Sequence, residues 1–212
     1  SSSLLISLLR ACHQVQGLRE PSPLALTEWA HHLEAEMLMT PTGTQDYVPA
    51  ITGGFNILTS EAQGLRLQTR EVPQPVSSHF LLVYTGRSHH SGLNNFDVLS
   101  RAVAREATVL QALRDLKDVA REMAVLFERD EGTQKAELPG LFARELKARL
   151  ALTPKFSSPE IEKLQQLSFA AGASGFKICG AGGGGCVMIW VSPEHRKAVA
   201  AACGSAGFQV LP

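Results

Sequence analysis

Three stretches of this chain combine residue types that can handle phosphate and a hard metal ion. The first is Ser1-Ser2-Ser3, which runs straight into an apolar helical pattern. Backbone N–H groups at a helix start are unpaired, and the helix dipole favours anions there. Serine hydroxyls can add hydrogen bonds to phosphate or serve as a ligand to Mg²⁺. The plainer reading of the same serines is an ordinary N-cap. The second stretch is Glu34-x-Glu36 followed by Pro41-Thr42-Gly43-Thr44-Gln45-Asp46. A carboxylate late in a helix and another in the tight loop after it can face one cavity. Phosphoryl transfer needs such a pair, one to hold the metal and one to orient and deprotonate the attacking hydroxyl. Without that role they are a solvated helix face and an Asp in a turn. The third stretch is Lys177-Ile178-Cys179-Gly180-Ala181-Gly182-Gly183-Gly184-Gly185-Cys186. Five glycines in six residues let the backbone come close to a ligand. No Gly-Lys-Ser/Thr follows, so this is not a P-loop. A dinucleotide fingerprint needs a helix directly after the glycines, whereas Cys186 to Val191 reads as a strand. A flexible hairpin is the structural alternative.

The elements around these stretches are legible in outline. Residues 3–16 read as a helix with apolar positions Leu4, Leu5, Leu8, Leu9, Cys12 and Val15, stopped by Gly17. Ser22-Pro23 caps a second helix whose stripe is Leu26, Trp29, Ala30, Leu33 and Met37. The segment 40–54 reads as a loop with room for a short helix. Two strands follow, Gly54 to Ser60 and Leu65 to Glu71, turning around Gln63-Gly64. Val72-Pro73-Gln74-Pro75 breaks the pattern and predicts a domain boundary. Beyond it come a buried strand at Phe80 to Thr85 and helices over 95–130 and 136–150. A further helix opened by Ser157-Ser158-Pro159 ends near Gly172. The chain finishes with a strand from Lys177 to Cys179, the glycine loop, a strand to Val191, a helix from Pro193 to Cys203 and a strand from Phe208 to Leu211. The class is α+β, and its last part reads as a split βαβ, ferredoxin-like sandwich.

Composition narrows the partners. Among 212 residues, Lys plus Arg equals Asp plus Glu, which leaves no electrostatic footprint for nucleic acid or an anionic membrane. No stretch of about 18 apolar residues is present to span a bilayer, and no signal-peptide pattern is seen. Cys12, Cys179, Cys186 and Cys203 fall in no zinc spacing. They read as reduced thiols of a cytoplasmic protein.

Taken together, in their order and spacing, the serine helix start, the Glu34 to Asp46 block and the glycine hairpin resemble the second motif, the catalytic segment and the third motif of the GHMP kinases. These are the small-molecule kinases of galactose, homoserine, mevalonate and phosphomevalonate. Within that family the chain is most similar to heptose 7-phosphate kinases and fucokinase-like enzymes. Gly43-Thr44-Gln45-Asp46-Tyr47 followed by Gly53-Gly54-Phe55-Asn56, Leu82-Val83-Tyr84-Thr85-Gly86 and Ser158-Pro159-Glu160-Ile161 extend the resemblance over nearly the whole chain.

The resemblance implies a two-domain GHMP fold. Residues 1–75 would be the C-terminal part of the ATP-binding, catalytic domain, and residues 76–212 the ferredoxin-like C-terminal domain. It also implies ATP and Mg²⁺ as cofactors and a sugar or sugar phosphate as acceptor, phosphorylated at the anomeric hydroxyl. Asp46 matches the catalytic aspartate that orients the acceptor, and Glu34 the glutamate that binds Mg²⁺, with Glu36 a weaker candidate. Ser1 or Ser2 matches the metal-binding serine, and Ser3 completes the serine run that faces the nucleotide. Gly180, Gly182, Gly183, Gly184 and Gly185 would shape the site near the phosphates, while Gly53 and Gly54 let the backbone turn near the sugar. The Pro-x3-Gly-Leu-Gly that precedes the serines in the family is missing. The expectation is therefore a chain that starts inside the second motif. The alternative function is a catalytically incompetent part of such a kinase, acting at most as a binding module.

Other basic and imidazole groups are ambiguous. Arg87, His89 and His90 follow a buried strand, where an Arg could fork a sugar phosphate or simply line a strand-to-helix loop. His31 and His32 point about 100° apart on a helix and read as surface or supporting residues. Lys177 could screen phosphate charge or play a structural part.

Overall fold

The computed structural model describes residues 2–39, 42–87, 92–180 and 182–212, with 92–95 described by backbone alone. Ser1, Ala181, His89 and His90 lie outside the described residues. The chain divides into two compact units that meet between Val72 and Pro73, three residues before the boundary predicted from the prolines.

The first unit holds α1 (Ser2–Val15), α2 (Pro23–Leu38), α3 (Tyr47–Thr52), β1 (Phe55–Glu61) and β2 (Gly64–Arg70). α2 starts where Ser22 Oγ accepts the Ala25 N–H at 3.2 Å, with proline at the first helical position. It ends at Met39, whose left-handed φ of 50° turns the chain out of the helix. Ile6, Leu26, Ala30 and Tyr47 form the core, with Leu5, Leu9, Ala50 and Ile51 against it. The apolar stripes read from the sequence are therefore only half buried. Leu4 and Leu8 on α1, and Trp29, Leu33 and Met37 on α2, are exposed. The buried side of α1 is instead centred on Ile6, which faces α2 and α3. β1 and β2 pair antiparallel from Phe55↔Arg70 to Glu61↔Gly64. Gly54 enters this pair at φ +66°, and a Cβ there would meet the Arg70 carbonyl at 2.5 Å, so only glycine fits.

The second unit runs through α4 (Gln74–Ser77), β3 (Phe80–Tyr84), α5 (Gly92–Val103), α6 (Ala107–Leu126), α7 (Glu131–Leu152), a 3-10 turn (Pro154–Phe156), α8 (Pro159–Ala170), β4 (Ala173–Ile178), β5 (Cys186–Val191), α9 (Pro193–Ser205) and β6 (Gln209–Val210). Its sheet has the order β4-β5-β3-β6 with every neighbour antiparallel. β3 and β4 flank β5, and β5 and β6 flank β3, so two split βαβ units interlock in the ferredoxin-like manner expected. One sheet face buries Leu81, Val83, Phe176, Ile178, Val187 and Ile189 against Ile161 and Leu164 of α8 and Val199 and Cys203 of α9. On the other face, Phe80 meets Trp190 edge-on at 5.0 Å and Phe142 of α7 at 6.4 Å.

Three boundaries differ from the sequence expectation. The helical stretch after β3 is two helices, broken where Arg105 takes φ +59°. α7 begins at Glu131, capped by Asp130, which accepts the Thr133 N–H at 3.0 Å. It continues through Pro139 because packing on β4 and α6 outweighs one lost helical bond. β4 starts at Ala173, four residues earlier than expected, with a bulge between Ala173 and Gly175 that local alternation does not reveal.

Candidate active site

In the first unit the expected metal carboxylate, Glu34, is tied to the phenol of Tyr47, the residue after the expected catalytic Asp46. Tyr47 is fully buried, and its hydroxyl donates to Glu34 Oε2. Burial pushes the Tyr47 pKa up to about 12; the bond to Glu34 and the negative charges of Glu34 and Asp46 act in the same direction. The phenol thus stays a hydrogen-bond donor throughout the physiological range. Asp46 is exposed at the N-terminus of α3, Glu34 is half-buried on α2, and Glu36 is exposed. The core cluster links all three segments. Ile6 lies one turn after Ser2, Ala30 one turn before Glu34, and Tyr47 is next to Asp46; all three are members of it. Ser2 and Ser3 occupy the first turn of α1. His31 Nε2 is 3.1 Å from the Thr42 carbonyl, which fastens the loop that carries Asp46 to α2.

Gly53 and Gly54 form the turn from α3 into β1. Gly53 sits at φ +63° and donates its N–H to the Pro49 carbonyl at 3.0 Å. Asn56 locks that turn, donating to the Gly53 carbonyl at 2.8 Å and accepting from Thr52 and Thr69 at 2.9 and 2.8 Å.

In the second unit the glycine loop is a braced hairpin. Gly183 donates to the Phe156 carbonyl and Gly185 to the Arg87 carbonyl, both at 2.8 Å, and Thr85 N–H closes on the Gly185 carbonyl at 2.9 Å. A Cβ at Gly182 would lie 2.5 Å from the Phe156 carbonyl, and one at Gly184 2.9 Å from that of Arg87. The alternation leaves the N–H groups of Gly182 and Gly184 without a protein acceptor among the described residues. Those two amides are the part of the loop that could bind an anion.

The basic groups singled out from sequence have partners. Arg87 pairs with Glu160 at 3.1 Å on the exposed side of the loop. Lys177 Nζ lies 2.8 Å from Glu145 Oε1, which also accepts from Arg149 at 3.0 Å. This buried carboxylate and its arginine escaped sequence reading, although their i,i+4 spacing on one helix was a usable signal.

Among the described residues, no group of three or more His, Cys, Asp or Glu side chains could hold a metal alone. Mg²⁺ needs no such cage, since it keeps water and combines one or two carboxylates with substrate phosphates. Glu34, with one oxygen fixed by Tyr47, has the chemistry of one such carboxylate. No helix among the described residues is long and apolar enough to cross a membrane.

Residues 104–209 match the family model described as GHMP kinases C terminal, and the chain belongs to the GHMP kinase family. It is 24% identical over 206 residues to a D-glycero-alpha-D-manno-heptose 7-phosphate kinase of Campylobacter jejuni, covering 92% of this chain and 58% of that enzyme. It superposes on a D-glycero-D-manno-heptose 1-phosphate kinase from Bacteroides thetaiotaomicron with TM-score 0.71 at 17% identity, covering 100% of this chain and 58% of the other. With a Listeria innocua protein the TM-score is 0.81 at 15% identity, over 98% of this chain and 63% of the other. The chain thus spans somewhat under two thirds of the proteins it matches.

Proposed function

We propose that the chain is the catalytic part of an ATP-dependent kinase that transfers the γ-phosphate to a sugar or sugar-phosphate hydroxyl, the anomeric one of a heptose 7-phosphate-like acceptor. The observation that carries this reading is the buried Tyr47 hydroxyl bonded to the metal-type carboxylate Glu34, with the base-type carboxylate Asp46 next to Tyr47 in the chain at the start of α3. The heptose phosphate named for the Campylobacter relative supports the choice of acceptor.

In this reading Asp46 orients the acceptor hydroxyl and takes its proton as the phosphoryl group moves. Glu34 and a serine of α1 hold Mg²⁺, which neutralises phosphate charge when bound. The amides of Gly182 and Gly184, which have no acceptor among the described residues, supply fixed dipoles toward a phosphate. Gly53 and Gly54 bring backbone close to the sugar.

The test is turnover with a panel of sugars and sugar phosphates in the full-length gene product. Asp46→Asn should lower kcat by about 10²–10⁴ and leave ATP affinity unchanged. Glu34→Gln should lose activity that high magnesium partly restores. Near-normal turnover in Asp46→Asn would refute the assignment of the base. A full-length protein that binds ATP without consuming it on any acceptor would instead favour the binding-module alternative.

A further inference from the structure

Arg149 sits where the glycine loop is held to the rest of its unit. It donates to the Gly180 carbonyl at 2.6 Å. Its guanidinium stacks over the Phe156 ring at 5.5 Å, and the carbonyl of that same Phe156 takes the Gly183 N–H. One side chain therefore grips the first glycine and backs the residue that grips the middle of the loop. Arginine suits this because its planar fork serves a carboxylate on one edge and a carbonyl on another.

What aims the fork is Glu145. It is only 9% exposed, and Oε1 accepts from both Arg149 and Lys177. Oε2 is buried with no partner among the described residues. A buried carboxylate is costly unless paired, and here two cations flank one anion, leaving one positive charge beside the loop. The division of its donors between a carboxylate and the loop carbonyl sets Arg149 apart from an ion pair whose donors all serve the carboxylate. Arg144, on the same helix, is of that plainer kind: both of its arms go to the carboxylate of Glu122 on α6.

We infer that Arg149, anchored by Glu145, is the positioning residue that sets the glycine loop to receive a nucleotide phosphate. The nucleotide part rests on the kinase reading; the loop part does not. Arg149→Lys keeps the charge and loses the fork, Glu145→Gln releases the fork, and Arg144→Gln removes an ion pair that does not reach the loop.

Two readouts decide. Amide hydrogen exchange of the 179–186 segment in this chain should rise about tenfold in Arg149→Lys and Glu145→Gln, and stay at the wild-type rate in Arg144→Gln. In the full-length kinase, the first two variants should raise KM for ATP about fivefold or more with kcat within about twofold. Loop exchange unchanged in Arg149→Lys and Glu145→Gln, or raised equally in Arg144→Gln, overturns the positioning role. Exchange that rises while KM stays constant overturns the nucleotide role. If the wild-type protein consumes no ATP, the kinase reading falls and the exchange experiment alone decides the loop.

Discussion

At the scale of single residues, Tyr47 is the side chain whose importance least resembles its type. Its ring is core and its hydroxyl is held by Glu34. Tyr47→Phe keeps the ring and removes the donor, so the fold should survive at a cost of about 1.5–3 kcal/mol, the usual worth of a hydrogen bond to a charged group. If Glu34 holds Mg²⁺, the variant should also need about tenfold more magnesium for half-maximal activity, since groups that orient metal ligands weigh that much. A magnesium titration of wild type and variant checks this; superimposable curves would leave Tyr47 with packing alone. The residue types around this site were legible in the sequence, because Glu34 and Asp46 flank a turn-rich loop. Tyr47 was not, because a tyrosine in an apolar helix start reads as core, and nothing local shows which carboxylate its hydroxyl reaches. Lys177 was legible only as a cation, since its partner Glu145 lies 32 positions away.

Among the elements, the break between α5 and α6 is held by charge. Arg101 donates to Glu106 at 2.6 and 2.7 Å and to the Leu152 carbonyl at 2.7 Å, so it ties the corner to the end of α7. The bond from Arg101, with help from Thr108, pulls the Glu106 pKa down from its ordinary 4.5 to about 2. A depressed carboxylate pKa adds stability that is complete above the ordinary value and lost as pH falls through the folded one. Thermal unfolding should therefore show a loss of Tm between about pH 4.5 and 2 of which Glu106→Gln removes a part, the rest belonging to the lowered carboxylates Glu122, Asp130, Glu160 and Glu194. The variant should have the lower Tm at pH 7 and a flatter acid limb. The helix starts capped by Ser22 and Ser158 were readable, because a serine followed by proline announces them, while the start of α7 capped by Asp130 was not. Nor was the α5–α6 corner: Arg105 takes φ +59°, a region that side chains avoid, and the corner is held by the bonds of Arg101 to Glu106 and Leu152, which periodicity does not encode. The passage of α7 through Pro139 is likewise a tertiary outcome, with local preference overruled by packing.

For the whole molecule, the two units differ in how completely they cover themselves. The second has a core spanning α8, α9 and four strands and another among α5, α6 and α7. The first leaves Leu4, Leu8 and Met37 at 72%, 58% and 79% exposure, and β1 and β2 pair only with each other among the described residues. Residues 73–212 expressed alone should unfold in one cooperative transition, whereas residues 1–72 alone should bind a hydrophobic dye and show little protection from exchange. Calorimetry and dye binding on the two pieces check this. The interlocked strand order carries a further consequence for how the chain is made. β3 sits between β5 and β6, and its exit at Thr85 is fastened to Gly185, 100 residues further on. During vectorial synthesis β3 leaves the ribosome long before either neighbour exists, and Leu82 gains its bond from the Leu211 N–H only once that residue, 129 positions later, has emerged. A nascent chain must keep Phe80 to Tyr84 out of wrong pairings for that whole interval. Deletion of residues 209–212 should therefore lower the yield of folded protein more than it lowers the stability of what does fold.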